Sequence, residues 1–588
     1  MKQFQKVGLA AAVATVAAGT VASDVSRTET GDLAIIPYYT VLDGTNTGMH
    51  IINTTDATQV VKVRLRRGTD SKDALDFNLV MSPYDEWTAN IGAGGPNGVL
   101  VTTNDTTCTV PAFPEGGAPM PDTYSEGATE GYVEIIAMAQ ADKTQPIAVA
   151  AKHKAGVPAD CAAVRKNFYR VAAGDVGDVE TRGVHTSNLT STGECTATAV
   201  ANSKTGGACS AGTTAVNLSS YSPSDGNALK VSFMLTDPSG GLEAGDNAVM
   251  IENFGDGAMM TNQQPLSFGT DGLLNFDPLN FELPNLAYGA YKSSVTARSD
   301  AMTTAMTDRS MFNDLAEAID ADGIANDWAA FTTTDATVHA DWVVTLPGQY
   351  VMTNPVCDLY NDYNEANATA KAICAGNSST AASGTAVANI WAAYSAVGTD
   401  NNQLPLIVAS NVDGLSLVGN GTTANMNLWD REELSLAGKE TVKPDVDPDL
   451  GFSPGGSSGD PADPDVTVVL PYEVNVIAFG DAESTTAVMS NLKLSVTPPE
   501  TSDRGWGRLD IQPENTSPMI WNIGATDTST SKDGGNVGGA GPNVGSFVAN
   551  DDATDVGVVG FAVWQRSFAA QAGNYGRMIE HSTITSNG

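Results

Sequence analysis

Between Val60 and Arg66 the chain alternates without a break. Val61, Val63 and Leu65 fall on one side of an extended backbone, and Lys62, Arg64 and Arg66 on the other. A period of two is the pattern of a β-strand with one apolar face, and it does not fit a helix, whose faces recur about every 3.6 residues. The same reading applies to Leu33–Val41, Met49–Asn53, Leu75–Val80 and Glu86–Ile91, punctuated by turn sequences such as Asp43-Gly44-Thr45-Asn46. Strands separated by turn signals every roughly 8–12 residues point to an antiparallel sandwich. The expected fold class is therefore all-β dominated, with antiparallel β-sandwich (immunoglobulin-like) domains and a few short helices inserted in the middle.

Further along, Gly92–Pro121 is rich in Gly, Pro and Thr and reads as a long loop. Strands are expected at Gly131–Met138, Ile147–Lys152, Leu229–Leu235 and Ala248–Glu252, with a Ser/Thr/Gly-rich insertion at Thr181–Ser224. Helical spacing appears at Ser310–Ile319 and Ala386–Val397, and a short helix is expected over Glu365–Ile373. Ala340–Pro347 reads as a strand between them. Val442–Asp465 is dominated by Asp, Pro and Gly and cannot form a packed core. Strand patterns then return at Val466–Phe479, Met489–Val496, Gly507–Ile511, Met519–Ile523 and Val556–Gln565. These features divide the chain into a leader (1–22), an N-terminal sandwich region (23–300) and a mixed helix/strand region (301–440). An Asp/Pro/Gly-rich loop (441–465) and a C-terminal β region (466–588) follow. The outer strand sets are compatible with one sandwich carrying an inserted middle, or with two sandwiches in series.

The leader has the layout of a secretory signal peptide. Lys2 and Lys6 precede an uncharged apolar run, Val7–Ala18, and small residues follow to Ala22. The run is shorter than the ~20 residues a membrane-spanning helix needs. No Cys stands near residue 22 to carry a lipid, so retention at a cell surface is expected to rest on noncovalent contacts.

The chain carries 68 acidic and 30 basic residues, a net charge of −38. Phosphate backbones would repel such a chain, which argues against a nucleic-acid partner. Copies of it would repel one another unless salt or bound cations intervene. The six cysteines are Cys108, Cys161, Cys195, Cys209, Cys357 and Cys374. An even number behind an export signal favours disulfides. Sequence proximity suggests Cys195–Cys209 and Cys357–Cys374, which leaves Cys108–Cys161.

Catalytic signatures are weak. Gly455-Gly456-Ser457-Ser458-Gly459 matches a serine-hydrolase string, but Pro454 and Asp460-Pro461 replace the strand and helix that such an elbow needs. His50, His153, His185, His339 and His581 are scattered, with no zinc-type spacing. The chain is expected to be structural rather than an enzyme. Asp445, Asp447 and Asp449 alternate, and Asp460, Asp463 and Asp465 follow, so this loop is the candidate calcium site. A solvated acidic loop is the simpler alternative. Lys62, Arg64, Arg66 and Arg67 form the strongest basic cluster. They are the candidate surface-binding residues, for lipopolysaccharide phosphates or for an acidic face of a neighbouring copy. A solvated strand face is again the simpler alternative.

Several strings together carry a resemblance: Ile36-Pro37-Tyr38-Tyr39-Thr40-Val41, Leu75-Asp76-Phe77-Asn78 with Ser82-Pro83-Tyr84-Asp85, Asp341-Trp342-Val343-Val344-Thr345, Asp430-Arg431-Glu432-Glu433, Leu470-Pro471-Tyr472-Glu473-Val474-Asn475 and Gly560-Phe561-Ala562-Val563-Trp564-Gln565-Arg566. The chain resembles a family of secreted proteins of marine gammaproteobacteria that includes surface-layer proteins. The resemblance implies a self-assembling lattice on the outer cell surface. A secreted adhesin or a filament or biofilm-matrix subunit without a lattice is the alternative. Neither carries a catalytic motif.

Overall fold

The computed structural model describes residues 24–165, 221–254, 315–347, 422–430, 466–511 and 557–584, short gaps aside, with strand pairs at 267–268/274–275 and 519–522/546–549 and a strand at 435–436. Among the described residues the fold is all-β and sandwich-like, as the alternation predicts. The leader, the Asp445–Asp465 loop, the hydrolase-like string, His185, Cys195, Cys209, Cys357 and Cys374 and the helices expected at 365–373 and 386–397 lie outside the described residues.

The N-terminal half builds two antiparallel sheets. The first runs Asp24–Val25, Val249–Glu252, Leu33–Thr40, Glu130–Ala141, Thr58–Arg67, Asp73–Met81 and Cys108–Val110, with Tyr221–Ser222 paired to the end of Glu130–Ala141. The second runs Leu242–Asn247, Leu229–Asp237, Asn46–Asn53, Glu86–Ala93, Val99–Thr102 and Ala118–Pro119. Their burial differs in an informative way. Asn46–Asn53 alternates buried and half-buried positions, as a sheet open on one side should. Leu33–Thr40 is buried at every position and Glu130–Ala141 at all but Gln140, so the first sheet is covered on both faces.

The C-terminal half is one further set of strands in the order Ser435–Leu436, Thr422–Asp430, Arg504–Ile511, Gly323–Thr332, Ala336–Thr345, Val474–Phe479 and Lys493–Val496. Val559–Phe568 pairs along Ala336–Thr345, and Asn574–Glu580 pairs with Val559–Phe568. The pair Val474–Phe479 with Lys493–Val496 is parallel. Three strands of the expected mixed region, at 323–332, 336–345 and 422–430, thus belong to the same set as the strands after residue 466. Within the expected 310–319 helix, Ile319 donates its N–H to Leu315 at 3.1 Å, and both side chains are buried.

One apolar core runs through both halves, from Leu33 and Ile35 to Val474, Phe561 and Val563. Backbone and side-chain bonds cross the junction. Val474 donates to the carbonyl of Gly68 at 2.9 Å, and Thr345 Oγ1 donates to the carbonyl of Pro37 at 2.6 Å. Phe233 and Phe561 meet with ring centroids 5.5 Å apart.

Two local expectations fail. Ile147–Lys152 is not a strand: Pro146–Ala151 is a short helix with Pro at its first turn. A short apolar run does not distinguish strand from helix by period, and here Pro at the helix start and three alanines decide it. The expected loop 92–121 contains three short strands, Val99–Thr102, Cys108–Val110 and Ala118–Pro119. They extend sheets already formed, and pairing to an existing edge overrides their weak intrinsic preference. The remaining expected disulfide, Cys108–Cys161, is formed, with Cα atoms 5.3 Å apart.

Candidate functional site

Three of the four cations singled out above are not at the surface. Lys62 and Arg64 are wholly buried and Arg66 is 2% exposed. Register explains their acceptance. Thr58–Arg67 lies between Asp73–Met81 and Glu130–Ala141, which sets Arg64 opposite both Asp76 and Glu134. Lys62 Nζ lies 2.9 Å from Asp76 Oδ2. Arg66 donates through Nε and Nη2 to the two oxygens of Glu134, at 3.0 and 3.1 Å, and through Nη1 to the carbonyl of Ser71. Arg64 Nη1 is 4.0 Å from the same Glu134. Arg67, at the strand end, is half-buried. Lys62, Arg64 and Arg66 are internal cross-strand partners, and burial removes them from the expected surface-binding set. A single strand's alternation identifies its polar side but not whether a further layer covers that side. Breaking such a buried pair costs about 3–5 kcal/mol, because a charge is left uncompensated.

Two buried carboxylates hold the segment 487–492 of the C-terminal half. Glu130 accepts hydrogen bonds from Tyr38 Oη at 2.9 Å, Ser490 Oγ at 2.6 Å and the Asn491 N–H at 2.7 Å. Burial raises its pKa, and these three donors oppose the rise. Asp341 accepts the Val488 N–H at 2.8 Å. Its pKa is pushed up to about 7, chiefly by burial, with the Val488 and Ala487 N–H groups and the charge of Lys493 pulling it back. His581 is the counterpart base. Its Nε2 lies 3.0 Å from the Val343 carbonyl and its Nδ1 3.0 Å from Asn326 Nδ2. Nε2 therefore donates and Nδ1 accepts, which is the neutral tautomer. Burial lowers its pKa to about 4.

One constellation has the composition of a hydrolase triad but not its order. Ser82 Oγ is 3.4 Å from His153 Nδ1, and Asp85 Oδ2 is 3.6 Å from that same nitrogen. A triad needs the nucleophile and the carboxylate on opposite ring nitrogens. Thr106 Oγ1 takes the other nitrogen, Nε2, at 3.2 Å, and also donates to the Gly156 carbonyl at 2.9 Å. Asp85 meanwhile accepts the Ser82 and Glu86 N–H groups and closes the turn between strands. The arrangement anchors the His153–Pro158 hairpin beside the Cys108–Cys161 bridge.

Several exposed groups with recognition chemistry lie on the C-terminal strands. Arg504–Ile511 alternates outward and inward, and Trp506, 41% exposed, stacks on Trp429 of the paired strand with centroids 4.1 Å apart. Asn427 Nδ2 donates to Asp510 Oδ2 at 3.1 Å beside that stack, and Arg508 pairs with Asp510. In the same set, Arg504, Arg566 and Arg577 lie over the rings of Phe331, Phe568 and Trp564 at 5.0, 4.7 and 4.7 Å. Sequence reading gave these residues no binding role, although Trp564 with Arg566 and Tyr575 with Arg577 each set an aromatic and a cation two positions apart, on one strand face. No family model, curated protein or solved structure matches this chain.

Proposed function

We propose that this protein is a secreted, self-assembling surface-layer subunit that tiles the outer cell surface. The observation that best supports the reading is the core shared by the two halves. A subunit that repeats in a lattice must pass load and register from one contact to the next. Packing Val474, Phe561 and Val563 against Leu33 and Ile35, with Glu130 and Asp341 clamping residues 487–492, provides a continuous body for that. The export leader, the resemblance and the charge of −38 point the same way. Calcium in the Asp445–Asp465 loop would offset repulsion between copies, and outer-membrane lipopolysaccharide is the proposed support.

Electron microscopy of washed cells tests this. A periodic coat, lost on deletion of the gene, is the expected result. A bare outer membrane in unmodified cells refutes the proposal, and fibres in place of sheets would support the adhesin or filament reading. Chelation should loosen the assembly, and indifference to chelator at low and high salt removes calcium from the account.

A further inference from the structure

With Lys62, Arg64 and Arg66 buried, the positive surface that a second acidic copy would need has to lie elsewhere. Cross-strand register assembles one. Ala329 pairs with Arg504, Phe331 with Val338, Ala340 with Trp564, Val338 with Arg566, Trp564 with Arg577 and Arg566 with Tyr575. These residues form a row across five neighbouring strands, roughly 19 Å at the usual strand spacing. At its centre Ala329, Val338 and Ala340 make a small apolar cluster of their own, roofed by Phe331 and Trp564. Arg504, Arg566 and Arg577 lie over aromatic rings of this row, and Tyr575, 69% exposed, packs edge-on against Phe568.

Cations outnumber carboxylates along the row. Asp503 pairs with Arg504 at 3.3 Å, and Asp335 stands exposed at the adjoining hairpin turn. Arg566 and Arg577 are exposed, and neither makes an ion pair among the described residues. The indole N–H of Trp564 is buried without an acceptor among those residues. The row therefore presents guanidinium donors on an apolar base. A guanidinium held over a ring loses less conformational freedom on binding than a free one, and its fork geometry suits carboxylates. The complementary partner is a surface rich in carboxylates. With 68 acidic residues against 30 basic ones, this chain presents such a surface itself.

We infer that the arginine–aromatic row formed by Arg504, Phe331, Trp564, Arg566, Arg577 and Tyr575 is the face through which one copy of this chain docks on an acidic surface of the next. The contact joins unlike faces. A contact of that type that does not close on itself propagates into open arrays, whereas contacts between like faces stop at dimers. This inference rests on the self-assembly reading above.

The test uses the full mature chain at fixed ionic strength, with sedimentation velocity for association and negative-stain microscopy for order. The variants are Arg566→Glu with Arg577→Glu, and, as a control of equal charge change per site, Lys143→Glu at an exposed lysine in the N-terminal half. Reversing two rim charges should weaken self-association at least about tenfold and abolish ordered sheets. The control should leave both unchanged. Melting temperatures of all variants should match the parent within a few degrees, which separates lost docking from lost folding. Sheets from the double variant like those of the parent overturn this face and leave the self-assembly reading intact. A parent that stays monomeric overturns both. Binding of polygalacturonate by the parent, lost in the double variant while sheets persist, would reassign the row to an anionic glycan and overturn the inference.

Discussion

Replacing Asp341 with asparagine should have no effect on stability in acid and a stabilising effect above neutrality. Asp341 is buried on the Ala336–Thr345 strand, and its pKa is pushed up to about 7 from an ordinary value of 3.8. A carboxyl whose folded pKa is raised holds its proton more tightly when folded. Its contribution is therefore fully present below about pH 4 and is lost as pH rises toward 7. At about 1.4 kcal/mol per pKa unit, ionising it costs the folded state on the order of 4 kcal/mol. His581 works in the other direction. Its folded pKa is lowered to about 4 from 6.5, so the unfolded chain takes up the proton first as pH falls, and stability drops by about 3 kcal/mol between pH 6.5 and 4. Over that window the two slopes oppose each other and nearly cancel in the parent. Asp341→Asn removes one of them. The amide oxygen keeps the Val488 N–H bond and the amide is uncharged, like the protonated carboxyl, so the gain at pH 8 over the effect in acid should be on the order of 4 kcal/mol. Urea unfolding midpoints at pH 4.5, 6 and 8 measure it. The variant should lie within about 1 kcal/mol of the parent at pH 4.5, then gain steadily. A variant that loses stability as pH rises would refute the reasoning, because it would mean that Asp341 is ionised at neutral pH and contributes a charge-assisted bond.

Glu134→Gln leaves Arg66 and Arg64 buried beside a neutral group and should destabilise by about 3–5 kcal/mol in chemical denaturation. Its effect should hardly change with salt, unlike that of a surface pair. Removing the Cys108–Cys161 bridge by a double serine substitution opens a loop with a sequence separation of 53 and should cost about 4 kcal/mol of unfolding free energy. Gly505→Ala would drive a Cβ to 1.8 Å from the Trp429 carbonyl, so that strand pair must part. Loss of the Trp429–Trp506 stack should then appear in the near-ultraviolet circular dichroism, with a lower melting temperature.

The alternation of apolar and polar residues determined the fold class and most of the strands. Asn46–Asn53, Thr58–Arg67 and Asp73–Met81 were legible because a period of two has one structural meaning. The pairing Cys108–Cys161 was legible by elimination among six cysteines, though the other two proposed pairs lie outside the described residues. Tertiary structure alone decided which polar faces meet water. Lys62, Arg64 and Arg66 alternate in the same way as Trp564, Arg566 and Phe568. The first set is buried because Asp76 and Glu134 arrive from neighbouring strands, one of them from a strand some seventy positions on (|i−j| of 68 for Arg66 and Glu134). In the second set Arg566 remains exposed and makes no ion pair among the described residues. Charge compensation across strands is a property of register, and register depends on partners far apart in the chain. The sequence thus determined that this protein would present cationic strand faces. Only the packing of layers decided that the N-terminal face became part of the interior and that Arg566 and Arg577 on the C-terminal strands stayed exposed.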